Sequence, residues 1–452
     1  MSNTDKYLYK LYLLCLPLGQ LFRFMPDGSS LMLQFSTVIM ILAMIRIFLL
    51  RKITYGQGVR SFGVLYLFMA SYTLIASIIL SFYIDSSLVA SPLRRCMGDV
   101  VLYFLALCSV YYNYYGLSKL VTLEDVKSIF KMQVLILLAV GYLQLGIMFG
   151  IGGGLYASLC SIFALREASW LTSLDRGITF FGTEPASSSI ICFIVIPFIL
   201  CSISSNKGGK RLFYVIEFIL MAILFLLSNS SSALLSFGFL VVAYLVIYMF
   251  HIRAKKLLMI GAFMIGLVVA VLYSLDISTS DGVNSDKESL EYVLVGKIQD
   301  KDNMSTAMRA STVINDMKIF YEHTFTGVGD GNQGYFYRKH VPTWALGSEE
   351  VQSLMHGTKI ANGGGNFFPA FISAYGLIGI IVFLFFLKSY SLSYRQSFIQ
   401  EDKRFQMIYV LGISLFLLSG WYVVGVKLNE SICFLLSLPC VEKMRKKGCC
   451  TM

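Results

Sequence analysis

The chain reads as an all-α, polytopic membrane protein of about 11–12 transmembrane helices, with one long, partly helical loop on its outer side. Three observations predict this class. Of 452 residues, 56% are hydrophobic and only 14% are charged, against about 25% charged in soluble domains. Apolar runs near the ~20 residues that cross a bilayer as a helix recur from end to end. The short alternating strands of a membrane β-barrel are missing.

Taken in order, membrane helices are expected near Tyr7–Phe24, Leu31–Leu50, Ser61–Ile84, Val100–Leu117, Met132–Ile151 and Ala186–Ser205. Further helices follow near Leu212–Leu227, Ala233–Phe250, Leu257–Ser274, Phe367–Leu387 and Phe405–Val424, and Ile432–Val441 makes a short twelfth. Lys6 and Lys10 ahead of an apolar run resemble a signal peptide. No small-x-small cleavage site follows, so the run is read as an uncleaved first helix. Leu212–Phe250 is divided at Asn229-Ser-Ser-Ser232, a polar turn.

Lys and Arg set the orientation. With the N-terminus inside, 23 of the 37 fall on inner segments. Fourteen fall outside, eight of them in one long loop where the rule carries little weight. Both termini are therefore expected inside. The net charge of +11 reflects topology and contact with anionic lipid, not nucleic-acid binding. The chain divides into residues 1–275, with nine membrane helices and a short outer loop near 152–185; residues 276–365, a large outer loop; and residues 366–452, the last membrane helices and a basic tail.

A structureless loop as long as 276–365 is uncommon unless it is functional or disordered. Leu290, Val293, Leu294 and Ile298 mark an amphipathic segment. A second helix is expected from a Ser305 cap to about Glu322, with Met308, Ile314, Met317 and Tyr321 apolar. Thr326-Gly-Val-Gly-Asp-Gly-Asn-Gln-Gly334 forms a glycine turn, and His356 and Gly363–Gly365 close the loop. None of the ten cysteines falls between Asp276 and Gly365, and no Cys/His spacing suits zinc. Neither a disulfide framework nor a metal is expected.

Chemistry concentrates in the two outer loops. Arg176-Gly-Ile-Thr-Phe-Phe-Gly-Thr-Glu-Pro185 holds opposite charges between two apolar runs. Arg176 suits an anionic ligand, with Glu184 accepting a proton or a sugar hydroxyl. The plainer alternative is an ion pair at the headgroup level. Arg166 beside Trp170 reads as an interfacial anchor. Together with Arg309 and Arg338, these arginines suggest a diphosphate site, because guanidinium forks phosphate oxygens. His323, His340 and His356 are candidate general bases. Gly329-Asp-Gly-Asn-Gln-Gly334 formally matches the dinucleotide fingerprint but lacks the βαβ unit that gives it meaning. Asp300-Lys-Asp302 spells a metal–sugar-nucleotide pattern, but no tight carboxylate cluster supports a metal.

These pieces resemble the O-antigen polymerase/ligase superfamily of bacterial inner membranes. Arg176 followed by Gly182-x-Glu184-Pro185-Ala-Ser resembles the family's Arg…Phe-x-Glu-Pro-Ser helix start. Thr326-Gly-Val-Gly-Asp-Gly-Asn after Arg309 resembles its Arg…Gly-x-Gly-x-Gly segment. Asn366, ahead of Gly376-Leu-Ile-Gly379, resembles its His-Asn…Gly-Leu-Ile-Gly helix. Two departures stand out. The family's His before Asn is Gly365 here, which leaves His356 and then His340 as the nearest candidates. Ser230-Ser-Ser232 stands where many members have a Ser-Arg turn. The ligase branch usually keeps the His, so its loss points toward a polymerase.

The resemblance implies a metal-independent, cofactor-free membrane glycosyltransferase acting on the periplasmic face of the inner membrane. Its substrate would be a polyprenyl-diphosphate-linked oligosaccharide in contact with membrane lipid. A chain-length regulator and a flippase would be protein partners, and no nucleic acid would bind. The implied catalytic residues are Arg176, Glu184, Arg309 and His356. Arg166, Arg338, His340 and Asn366 would bind substrate. The alternatives are a ligase passing the glycan to lipid A core, and a flippase. A transporter would keep charges at mid-helix and show two related halves, whereas here the charges cluster in two outer loops.

Overall fold

The computed structural model of the chain describes residues 3–17, 20–21, 33–50, 56–83, 91–162, 177–182, 185–228, 230–250, 304–348, 351–352, 355, 366–421 and 430–442. Among them the protein is all-α. A two-residue antiparallel pairing of Gln20–Leu21 with Leu33–Gln34 and one isolated bridge are the strand content. The expected helix near Leu257–Ser274 and the amphipathic segment around Leu290 lie outside the described residues.

Helix α1 (Asn3–Cys15) begins ahead of the expected Tyr7–Phe24 run and ends within it. Pro17 offers no N–H and disfavours a helical predecessor, so the helix stops short of it. Helices α2 (Phe35–Leu49) and α3 (Gln57–Ser81) follow. Helix α4 (Pro92–Tyr115) starts well before Val100. The Ser91 hydroxyl accepts the Arg94 amide as N-cap at 3.4 Å, and Pro92 presets the first turn. That start brings Asp99 inside a helix, buried at 3% exposure. Helix α5 (Leu123–Met148) opens with a capping box, in which Thr122 and Asp125 each accept the other's amide.

Helix α6 (Gly153–Ile162) precedes a 3-10 stretch, Pro185–Phe193, that runs into α7 (Val195–Ser205). Helices α8 (Gly208–Leu226) and α9 (Ser231–Phe250) are separate, broken at the serine turn. The long loop contributes α10 (Met304–Glu322) and the short α11 (Tyr337–His340). Helices α12 (Phe367–Gln396), α13 (Lys403–Ser419) and α14 (Glu430–Ser437) complete the chain.

Among the described residues, four segments are long and apolar enough to cross a membrane: α3, α5, Ser188–Ser205 and α12. Phe35–Leu49, Ser232–Tyr248 and Glu430–Cys440 are shorter apolar helices. Leu67, Phe104, Leu135 and Phe385 are exposed on helix surfaces. That suits a multi-pass membrane protein, in which helices satisfy the backbone and apolar side chains meet lipid. The interior is aromatic. Tyr112 meets Tyr9 and Tyr12 edge-on at 5.2 and 5.1 Å between ring centroids. The buried Asn113 amide donates to the Tyr12 hydroxyl at 2.9 Å.

The bundle has two distinct ends. At one, the starts of α5, α8 and α13 meet the end of α7. Ion pairs collect at this basic end: Lys10–Asp125 at 2.6 Å, Lys6–Asp125 at 3.2 Å and Arg46–Asp5 at 2.7 Å. At the other, the start of α12 meets the end of α13, where the Phe368 amide donates to the Gly420 carbonyl at 3.0 Å. Residues 177–182 of the short outer loop and the glycine turn of the long loop are held toward this second end.

Candidate functional site

Helix α12 is broken in its interior, and the long loop fills the break. Gly376 sits at φ 56°, ψ −154°, a conformation open to glycine and costing other residues ~1–3 kcal/mol. The break frees backbone groups on both sides. The Val328 and Gly329 amides donate to the Ser373 and Ala374 carbonyls at 3.1 and 2.8 Å. In return the Leu377 and Ile378 amides donate to the Thr324 and Phe325 carbonyls at 2.8 and 3.3 Å. Exchanged bonds of this kind let a helix break inside an apolar bundle. The approach is close enough to demand glycine. A Cβ on Gly327 would stand 2.5 Å from the Ala374 carbonyl carbon, and one on Gly376 would stand 2.6 Å from the Phe325 oxygen. The glycine turn and Gly376-Leu-Ile-Gly379 are two halves of one junction.

A buried polar network lies beneath that junction. Tyr103 on α4 donates its hydroxyl hydrogen bond to Asp330 at the tip of the turn, and its oxygen lies 2.8 Å from the Tyr375 hydroxyl. The Thr73 hydroxyl of α3 accepts the Asp330 amide at 3.2 Å and stands 3.1 Å from Tyr375. Asn332 donates to Ser77 at 3.0 Å and to the Val328 carbonyl at 2.8 Å. Asp330, Asn332, Thr73 and Ser77 are all buried. Buried polar groups need such partners, since an unpaired one costs ~1–3 kcal/mol. The turn is thereby tied to α3, α4 and α12 together.

The loop beyond the turn folds back on α10. Tyr337 packs with Ala345 and Val351, against Met308, Val341 and Met355, and its hydroxyl bonds Ser311. His340 is buried at 3% exposure. Its Nδ1 lies 3.1 Å from Asn315 Oδ1, so that nitrogen donates. Its Nε2 stands 3.2 Å from Glu322 Oε1 without hydrogen-bond alignment. Burial holds the His340 imidazolium below its usual range, and Glu322 opposes the shift. Hydrogen bonds from Lys339, at 2.7 and 2.8 Å, hold the Glu322 carboxyl below its usual range.

The short outer loop is also anchored at this end. Ile178, Thr179, Phe180 and Phe181 are buried. Gln144 on α5 clamps them. Its Oε1 accepts the Thr179 and Phe180 amides at 3.1 and 2.9 Å, and its Nε2 donates to the Phe180 carbonyl at 2.7 Å. The Ile178 amide donates to the Leu227 carbonyl at 3.2 Å, and any Cβ on Gly177 would collide with that carbonyl. Phe180 holds φ 53° with its ring 5.7 Å from Phe225, a strained backbone kept by packing.

Four of the eight sequence-identified site residues are described. Arg309 and Arg338 belong to the same local unit, flanking the Met308, Ser311 and Tyr337 contacts. Arg338 donates to the Met355 carbonyl, and the Arg309 side chain forms no ion pair among the described residues. His340 lies in that unit as well. Asn366 caps the start of α12, buried at 2% exposure, and its Oδ1 accepts no hydrogen bond among the described residues. Gln333 repeats the pattern: its Nε2 donates to the Ala370 carbonyl at 3.2 Å while its Oε1 accepts none among the described residues. Arg166, Arg176, Glu184 and His356 lie outside the described residues.

Sequence reasoning missed Gln144, Asp330, Gln333 and Tyr103. The available signal was a polar residue in an apolar helix for Gln144 and an acidic residue among glycines for Asp330. No group of His, Cys, Asp and Glu suited to a metal occurs among the described residues. No curated protein matches the chain. Residues 216–384, from α8 through the long loop into α12, match the family model described as O-Antigen ligase, over less than half of the chain. This match supports the O-antigen polymerase/ligase superfamily and does not separate its two branches.

Proposed function

We propose that the protein polymerises lipid-linked O-antigen repeat units on the periplasmic face of the bacterial inner membrane. The donor is a growing glycan on polyprenyl diphosphate, and the acceptor is a sugar hydroxyl of an incoming lipid-linked repeat unit. The acceptor oxygen attacks the donor's anomeric carbon while the bond to diphosphate breaks and inverts that carbon. The diphosphate departs with the bonding electron pair, and the hydroxyl proton passes to Glu184 or His356. Arg176 and Arg309, helped by Arg338 and Arg166, neutralise the charge that develops on the leaving group. The Asn366 and Gln333 amide oxygens accept sugar hydroxyls, and His340 supports the loop that binds them. The chemistry as written needs no metal.

The observation that carries this reading is the junction in α12. It ties α10, with Arg309, to the end of the bundle where the segment following Arg176 is buried. The excess of Lys and Arg at the opposite end supports placing that end in the cytoplasm. A second reading, transfer of the glycan to lipid A core, is favoured by the description of the matching family. Purified protein supplied with lipid-linked repeat units, with and without lipid A core, separates the two. Longer lipid-linked products from repeat units alone support polymerisation. Turnover that requires lipid A core selects the ligase, and no bond formation under either condition removes both.

A further inference from the structure

The basic end of the bundle holds a cavity that the glycosyl-transfer reading does not use. It has a volume of about 300 Å³ and lies between α5, α7, α8 and α13. Along α5 it sits ~26 Å from Gln144, counted as 17 residues from Lys127 at 1.5 Å each. Its lining includes the buried Phe198, Phe405 and Ile408, and among charged residues Lys127, Lys131, Arg404 and the acidic Glu124.

The charges at the rim are unequally committed. Lys127 pairs with Glu124 at 2.7 Å and stands 3.7 Å from Asp402. Asp402 Oδ1 is spent on the start of α13, accepting the Arg404 and Phe405 amides at 2.9 and 3.3 Å. Lys131 and Arg404 form no ion pair among the described residues, and both are exposed. The Lys131 ammonium stands 5.0 Å from the centroid of the Phe213 ring. Glu217 on α8 is buried, and among the described residues neither of its carboxyl oxygens accepts a hydrogen bond. What remains suits one singly charged anion.

The surroundings identify the anion's source. Met132 and Leu135 on α5, with Leu212, Phe213 and Ile216 on α8, are exposed apolar side chains on the two helices that border the cavity. A cavity of this size is at the lower limit for small-ligand sites, so it takes a headgroup and leaves acyl chains to run along those helices.

We propose that this cavity binds the phosphodiester headgroup of a membrane lipid, with Lys131 and Arg404 holding the phosphate oxygens. Basic pockets between transmembrane helices are a recurrent form of such sites. The proposal does not depend on which glycosyl acceptor the opposite end uses.

Native mass spectrometry of the purified full chain in detergent tests it, with dioleoyl phosphatidylglycerol as probe and dioleoylglycerol as the phosphate-free comparison. The phosphatidylglycerol adduct is expected to persist where dioleoylglycerol gives none. The Lys131→Gln/Arg404→Gln pair should weaken it about tenfold or more. Lys131→Arg should retain it, and Lys207→Gln/Lys210→Gln, exposed at the same end but off the cavity wall, should leave it unchanged. Matching melting temperatures for all variants establish that they are folded. Equal binding of the two lipids, or equal loss in both double variants, overturns the site. Displacement of the lipid by free glycerol phosphate would assign the cavity to a soluble phosphate ester and overturn the lipid assignment. Failure of glycerol phosphate to compete supports it.

Discussion

Gly376→Ala tests whether the long loop is held in place by the break in α12. An alanine at φ 56°, ψ −154° carries strain of ~1–3 kcal/mol, and its Cβ would press on the Phe325 carbonyl oxygen. The chain escapes by straightening α12 and releasing Thr324–Gly329. That forfeits the four exchanged backbone bonds, each worth ~0.5–1.5 kcal/mol net, while α12 regains its own. The junction should therefore weaken by about 2 kcal/mol, which corresponds to roughly thirtyfold more opening. Hydrogen exchange followed by mass spectrometry reads this directly. Peptides covering 324–333 and 373–378 should exchange roughly thirtyfold faster in the variant. Gly238→Ala in α9 is the comparison, because its Cβ meets nothing within 4 Å and it should be neutral or slightly stabilising. If Gly376→Ala left both peptides as protected as in the wild type, the junction would not be what fixes the loop.

Three further outcomes follow from the same contacts. Asp330→Ala leaves the buried Tyr103 hydroxyl without its acceptor and should lower stability by about 1–3 kcal/mol, read as a drop in melting temperature, with Asp330→Asn losing less. Gln144→Leu strands the Thr179 and Phe180 amides and should expose the short outer loop. Labelling of an Ile178→Cys reporter by a maleimide should accelerate in that background, and unchanged labelling would show that the clamp is dispensable. The α10–α11 unit should loosen in acid. Neutral His340 is favoured by its buried site, so the stability it contributes above the usual histidine pKa of about 6.5 is lost as pH falls below it. The Glu322 contribution, present above the usual glutamate value near 4.3, is lost at still lower pH. Exchange of peptide 304–345, corrected for its intrinsic pH dependence, should rise below pH 6.5, and His340→Gln should flatten the first part of that rise.

Much of this architecture was written in local patterns, and the exceptions have local causes. The apolar runs locate α2, α3, α5, α8, α9 and α12 because burial in a bilayer demands length and hydrophobicity before anything else. Pro17 shortens α1, and the Ser91–Pro92 cap moves the start of α4 so that Asp99 enters a helix. Both follow from signals at single residues that a hydropathy window averages away. The site was legible as residue types and not as geometry. Its glycine segments, some fifty residues apart, signal turns separately, and nothing in either one says that it completes the other. By sequence alone His340 is a candidate general base. Its position between Asn315 and Glu322 depends on how α11 docks on α10, which no pattern in the sequence encodes. Gln144 is a polar residue in an apolar helix, and nothing in the sequence says that it holds the Thr179 and Phe180 amides.

Release of lipid diphosphate in a single turnover, compared between the wild type and Arg309→Lys, addresses the proposed chemistry most directly. A lysine keeps the charge but loses the planar fork that grips two phosphate oxygens. With repeat units saturating and the variant folded, release should slow by about 10²-fold, the loss typical of removing one preorganised donor to a developing negative charge. Release at the wild-type rate would contradict the assignment of Arg309 to the leaving group.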